Sequence, residues 1–152
     1  MEKIPAFYFD KKKLDLLAKE HKVEFANAKP FSHIVIDNFL DKDILDLLIK
    51  EFPNNSNPAW IEWGPGQTTS TSKKHRRKRG LSDENQFAPF TRHFMGQIIS
   101  QTFIDFLSKL TDIKDIVVDP SFNSCGLHST GRGGKLMIHA DDNRHPIKKG
   151  DF

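Results

Sequence analysis

The sequence predicts an α+β fold, and three observations carry that prediction. Apolar residues recur at helical spacing in three stretches: Leu14, Leu17 and Ala18; Ile44, Leu45, Leu48 and Phe52; and Phe94, Ile98, Ile99, Phe103, Phe106, Leu107 and Leu110. The β-branched runs Ile34-Val35-Ile36 and Ile116-Val117-Val118 are too brief for helices and end at turn residues. A chain of 152 residues suits one domain of ordinary size, so 1–152 is read as a single domain.

Taken in order, residues 1–20 give an apolar start (Ile4, Phe7, Phe9) and then a short helix with lysines outside, and 21–29 read as a connecting loop. Residues 30–40 read as a strand entering a turn. Asp41 is placed to cap the next helix, because its side chain can accept from the free amides of the first turn, and Pro53 and Asn54 stop that helix. Ala59 to Trp63 is a candidate strand broken by Gly64-Pro65-Gly66. Residues 66–86 are polar and then basic, and predict a mobile basic loop. Thr91 to Leu110 predicts one long helix whose broad apolar face is core packing. Asp115 to Pro120 reads as a strand closed by proline, and Ser121 to Leu127 as an extended segment bent at Gly126.

Composition narrows the function. No run of about 18 apolar residues exists, so no membrane partner is expected. The start, Met1-Glu2-Lys3-Ile4-Pro5, lacks an apolar signal region, and the one cysteine, Cys125, cannot make an internal disulfide. Both point to a reducing, cytoplasmic location. Lys73, Lys74, Arg76, Arg77, Lys78 and Arg79 form a run of six positive charges; without it the net charge of +3 becomes −3. A general nucleic-acid surface is therefore not indicated, and no aromatic platform accompanies the run.

The stretch with most chemistry is Gly133 to Asn143. It opens on the glycine pair Gly133-Gly134, passes through Leu136-Met137-Ile138, and reaches His139-Ala140-Asp141. If Leu136 to Ile138 is a strand, residues two apart share a face, and His139 and Asp141 aim an imidazole and a carboxylate at one point. Those are two thirds of the 2-His-1-carboxylate triad that holds non-haem Fe(II). The same pair also describes an ordinary strand end with a solvated acidic turn.

Several pieces then fall into one order: Lys29-Pro30-Phe31; Ile34 to Leu40; a Phe-rich helix ending Leu107 to Ile113; Asp119-Pro120-Ser121-Phe122; Gly126-Leu127-His128; and the glycine pair with Leu136, His139, Asp141, Asn143, His145 and Pro146. This resembles the 2-oxoglutarate- and Fe(II)-dependent dioxygenases, in their prolyl-4-hydroxylase-like branch. The resemblance implies a distorted double-stranded β-helix, or jelly roll, with N-terminal flanking helices. It implies Fe(II) held by His139 and Asp141, 2-oxoglutarate as co-substrate, and hydroxylation of a prolyl residue in a protein or of a small molecule.

The family also uses a second histidine tens of residues after His-x-Asp, followed by a basic residue that pairs the far carboxylate of 2-oxoglutarate. A guanidinium suits that pairing because it binds a carboxylate through two parallel hydrogen bonds. Only eleven residues follow Asp141 here. The resemblance therefore implies an N-terminal portion of the domain, truncated before the later core strands: half of a split protein completed by a C-terminal polypeptide, a fragment or frame-shifted reading, or a degenerate protein kept for binding. His145 is either a third ligand or a neighbour that supports the site without touching metal. His128 lines the site mouth or is a turn residue, and Lys135 is a 2-oxoglutarate partner or faces solvent. The rival expectations are a catalytically inactive binding remnant of this fold, and a nucleic-acid binder using Lys73 to Arg79.

Overall fold

The computed structural model describes residues 7–63, 75–120, 122 and 126–136. They form four α-helices and a small antiparallel sheet of three strands, an α+β arrangement. The chain groups into two compact units: residues 1–56 with 84–123, which hold the helices, and residues 57–83 with 124–152, which hold the strands.

In the helical unit, α1 (Lys11–Asn27) starts where the Asp10 carboxylate accepts from the Lys13 amide at 2.8 Å. The helix absorbs residues 21–27, expected as a loop, because Phe25 prolongs the stripe of Leu14 and Ala18 onto the core. It pairs with α4 (Gln101–Thr111) around Phe9, Leu14, Ala18, Phe106 and Leu110. Ion pairs Lys109–Asp15 at 2.6 Å and Lys22–Asp112 at 2.7 Å tie the exposed margins of the two helices. Such solvated pairs stabilise little, so the apolar seam carries the packing.

The long helix expected over 91–110 is two helices, α3 (Pro89–Ile98) and α4. Ser100 divides them. Its extended backbone and its Oγ, which accepts from the Phe103 amide at 3.4 Å, start a new helix inside a continuous apolar run. In α2 (Lys42–Glu51), Asp41 stands at the N-cap without a side-chain cap bond and lies 3.8 Å from Lys13 instead. Ile44 is buried, whereas Leu45 and Phe52 of the expected stripe are exposed.

Two expected strands are irregular segments. Residues 33–36 have no ladder partner among the described residues, yet Ile34 and Ile36 pack on the core while Val35 faces out. The β-branched run that suggested a strand does bury alternate residues, and it serves helix packing instead. Residues 116–119 are likewise extended without pairing.

In the sheet unit, β1 (Ile61–Trp63), β2 (His75–Leu81) and β3 (Leu127–Leu136) lie in that order, all antiparallel. Part of the segment expected as a basic loop, His75–Leu81, is thus the central strand, and Glu84–Gln86 is a short 3-10 turn. β3 pairs along most of β2 and β1 adds a second ladder at Lys78 to Gly80, which outweighs the poor strand propensity of a charged run. Opposed residues share a face, so Glu62, Arg79, Leu81, Leu127 and Ser129 fall on one side and Ile61, Lys78, His128 and Thr130 on the other. Leu81 is fully buried, while Ile61, His128 and Thr130 are exposed.

Candidate functional site

The glycine-rich approach to His139 is the end of β3. Leu127 to Thr130 pair regularly with Lys78 to Leu81, and Lys135 and Leu136 pair with Arg76 and His75. Between these ladders Gly131, Arg132, Gly133 and Gly134 stand opposite the single residue Arg77. This is a bulge of four residues against one, a local irregularity that bends a strand and re-aims the residues beyond it. Arg77 takes a left-handed backbone at φ 55, and its Nη1 donates to the Arg132 carbonyl at 2.6 Å. Gly133 at φ 72 supplies the matching turn on β3.

The start of β3 is fixed as tightly. Gly126 has φ 124, and a Cβ there would sit 2.3 Å from the Leu81 carbonyl oxygen. Only glycine lets the two backbones pass so closely.

Of the residues singled out from sequence, His128 lies on β3 opposite Gly80, with Lys78 on the same face. Partial burial, and then the Lys78 charge, hold its imidazole below the usual histidine range. Lys135 is exposed and opposite Arg76. His139, Asp141, His145 and Cys125 lie outside the described residues, as do Lys73 and Lys74. Among the described residues no group of three or more His, Cys, Asp or Glu is placed to hold a metal ion. Nor is any helix among them long and apolar enough to cross a membrane.

Two features are not legible in the sequence. One is an open depression on α3 lined by Glu84, Pro89, Arg92, His93, Gly96 and Gln97, with Arg92 and Glu84 paired at 3.3 Å. The other is that Arg132 and Lys135 join the basic run across the sheet, a neighbourhood set by strand pairing between distant parts of the chain, as Arg77 and Arg132 show. No family model, curated protein or solved structure matches this chain.

Proposed function

We propose that the chain is part of a 2-oxoglutarate- and Fe(II)-dependent dioxygenase of the prolyl-4-hydroxylase-like branch, built on part of a double-stranded β-helix and working in the cytoplasm. The observation that supports this best is the strand that leads into His139-x-Asp141: β3 is paired up to Leu136, three residues short of the histidine. A strand that kept its alternation would turn His139 and Asp141 to one face. Those two side chains would hold the iron, with His145 as a further candidate. A segment beyond these 152 residues would add the second histidine and the cation for 2-oxoglutarate. The bound metal and 2-oxoglutarate supply the oxidising chemistry, and the protein supplies the geometry. The substrate is a prolyl residue in a protein or a small molecule.

The test is a titration of Mn(II), a redox-quiet stand-in for Fe(II), with and without 2-oxoglutarate. Wild type is expected to bind weakly, because two protein ligands hold such a cation poorly, and to bind better with 2-oxoglutarate present. His139→Ala/Asp141→Ala is expected to lose that binding with an unchanged circular dichroism spectrum. Equal binding by the folded double variant would refute the reading. Succinate formation by residues 1–152 alone should be slow.

A further inference from the structure

The two units differ in charge. Residues 57–83 and 124–152 carry eleven Lys and Arg against five Asp and Glu, whereas 1–56 and 84–123 carry twelve against fifteen. The net charge is therefore about +6 on the sheet segments and −3 on the helical ones. Such asymmetry marks where a polyanion would settle.

The sheet gives that charge a shape. Arg76, Arg77, Lys78 and Arg79 follow one another along β2, Lys78 and Arg79 on opposite faces, and on β3 Lys135 stands opposite Arg76 and Arg132 in the bulge opposite Arg77. At about 3.3 Å per residue the central strand is roughly 23 Å long, so the cations form a line rather than a point. Arg77, Arg132 and Lys135 are exposed. Among the described residues no carboxylate lies within ion-pair distance of Arg77, Lys78, Arg132 or Lys135. Arg77 uses one guanidinium donor on the Arg132 carbonyl and has others to spare. At the bulge, a Cβ on Gly131 or Gly133 would meet only atoms of Arg77, at 3.9 and 3.6 Å, so a ligand can approach the backbone closely.

We propose that the cations which β2 and β3 gather around the bulge bind the phosphate backbone of nucleic acid without reading its sequence. A line of guanidinium groups complements a line of phosphates, each able to take two hydrogen bonds from one arginine. The binding does not depend on the iron reading, whose residues are His139 and Asp141.

The experiment is fluorescence anisotropy of a labelled oligothymidylate of about 20 nucleotides against the whole chain at several salt concentrations. Single strands give a slope of about −0.7 in log K per phosphate neutralised, so four to six contacts predict a slope of about −3 to −4. Affinity should then fall roughly 50- to 300-fold between 50 and 200 mM salt. Lys78→Gln/Arg132→Gln/Lys135→Gln should flatten the slope by about 2 and weaken binding at 50 mM salt at least about tenfold. Lys12→Gln/Lys19→Gln/Lys50→Gln removes as much charge from exposed helical positions and should leave affinity within about twofold. Should the sheet triple variant lose its thermal transition, the single variant Lys135→Gln replaces it, with an expected slope change of about 0.7. Phosphatidylcholine–phosphatidylserine vesicles are the competing probe. A slope shallower than about −1, an unaffected folded sheet variant, an equal loss in the helical variant, or tighter retention on vesicles than on oligonucleotide would each overturn the proposal.

Discussion

Glu51, the last residue of α2, clamps the start of α3, and removing it should loosen the helical unit. Its carboxylate accepts from the Phe90 amide at 3.2 Å, the Thr91 amide at 2.7 Å and the Thr91 hydroxyl at 2.9 Å. Ala88, at the N-cap, has no side-chain acceptor of its own, and Pro89 opens the helix without an amide, so the next two donors go to Glu51. Thr91 is only 3% exposed, which leaves its amide and hydroxyl little access to water once the carboxylate is gone. Each such orphan costs about 1–3 kcal/mol. The lost charge at a helix N-terminus adds about 0.3–1 kcal/mol. Because Glu51 is itself half-buried and water partly refills its place, Glu51→Ala should cost about 2–4 kcal/mol and Glu51→Gln about 1–2 kcal/mol. Urea unfolding followed by far-UV circular dichroism measures both, with Glu20→Ala on exposed α1 surface as a control expected within about 0.5 kcal/mol of wild type. A cycle with Thr91→Val should return a coupling of at least about 0.5 kcal/mol. If Glu51→Ala behaves like the control, Glu51 is no clamp and contributes nothing to the helical unit.

Single contacts carry the other predictions. Gly126→Ala should unfold the sheet unit, since its Cβ would collide with the Leu81 carbonyl at φ 124; near-wild-type thermal stability would contradict that. Ser100→Ala should cost about 1 kcal/mol by removing the cap of α4, read by the same urea titration. Tyr8→Phe should stabilise by about 1 kcal/mol, because the Tyr8 hydroxyl is buried with no partner among the described residues while its ring stacks at 5.2 Å from Phe90 and stays useful. For His128, burial and Lys78 favour the neutral ring in the folded chain. The unfolded chain therefore takes the proton first as pH falls. The associated stability is complete above the ordinary histidine value of about 6.5 and is lost as pH falls from there through the lower folded value. An NMR titration should show the His128 value rising in Lys78→Gln; no movement would remove Lys78 as a cause.

The helices were legible because their stripes are local: Leu14 with Ala18, and Phe106 with Leu110, meet through i, i+4 spacing alone. Where alternatives compete for one stretch of chain, the pattern misled. Ile34-Val35-Ile36 is β-branched as a strand is, but β-branching reports only a local preference, and the ladder partner is a tertiary matter. Ser100 was readable as a helix start, yet the apolar run around it reads as continuous unless the hydroxyl is weighed against it. The basic strand was hidden most deeply. Nothing local in His-Arg-Arg-Lys-Arg-Gly-Leu favours a strand; β3 makes it one by pairing along most of its length, and β1 adds a second ladder at Lys78 to Gly80. Of the site, the glycine pair marked the stretch, but its bulge within β3 and the pairing of Arg132 and Lys135 with the basic run depend on register.

The phosphate reading rests on β2 and β3 and the iron reading on residues that follow β3 in sequence, so their variants test each other. His139→Ala/Asp141→Ala removes one neutral side chain and one negative charge, which should leave oligonucleotide affinity unchanged or slightly higher. Lys78→Gln/Arg132→Gln/Lys135→Gln touches none of the proposed ligands and should leave Mn(II) binding intact. Independent losses would mean two separate functions in one chain. A joint loss in folded variants would mean something narrower: that metal and polyanion meet at one place, and that the hydroxylated substrate is itself carried on a phosphate backbone. In that case oligothymidylate should compete with, or be tightened by, Mn(II) and 2-oxoglutarate. Because linkage is reciprocal, the oligonucleotide must then change metal affinity by the same factor.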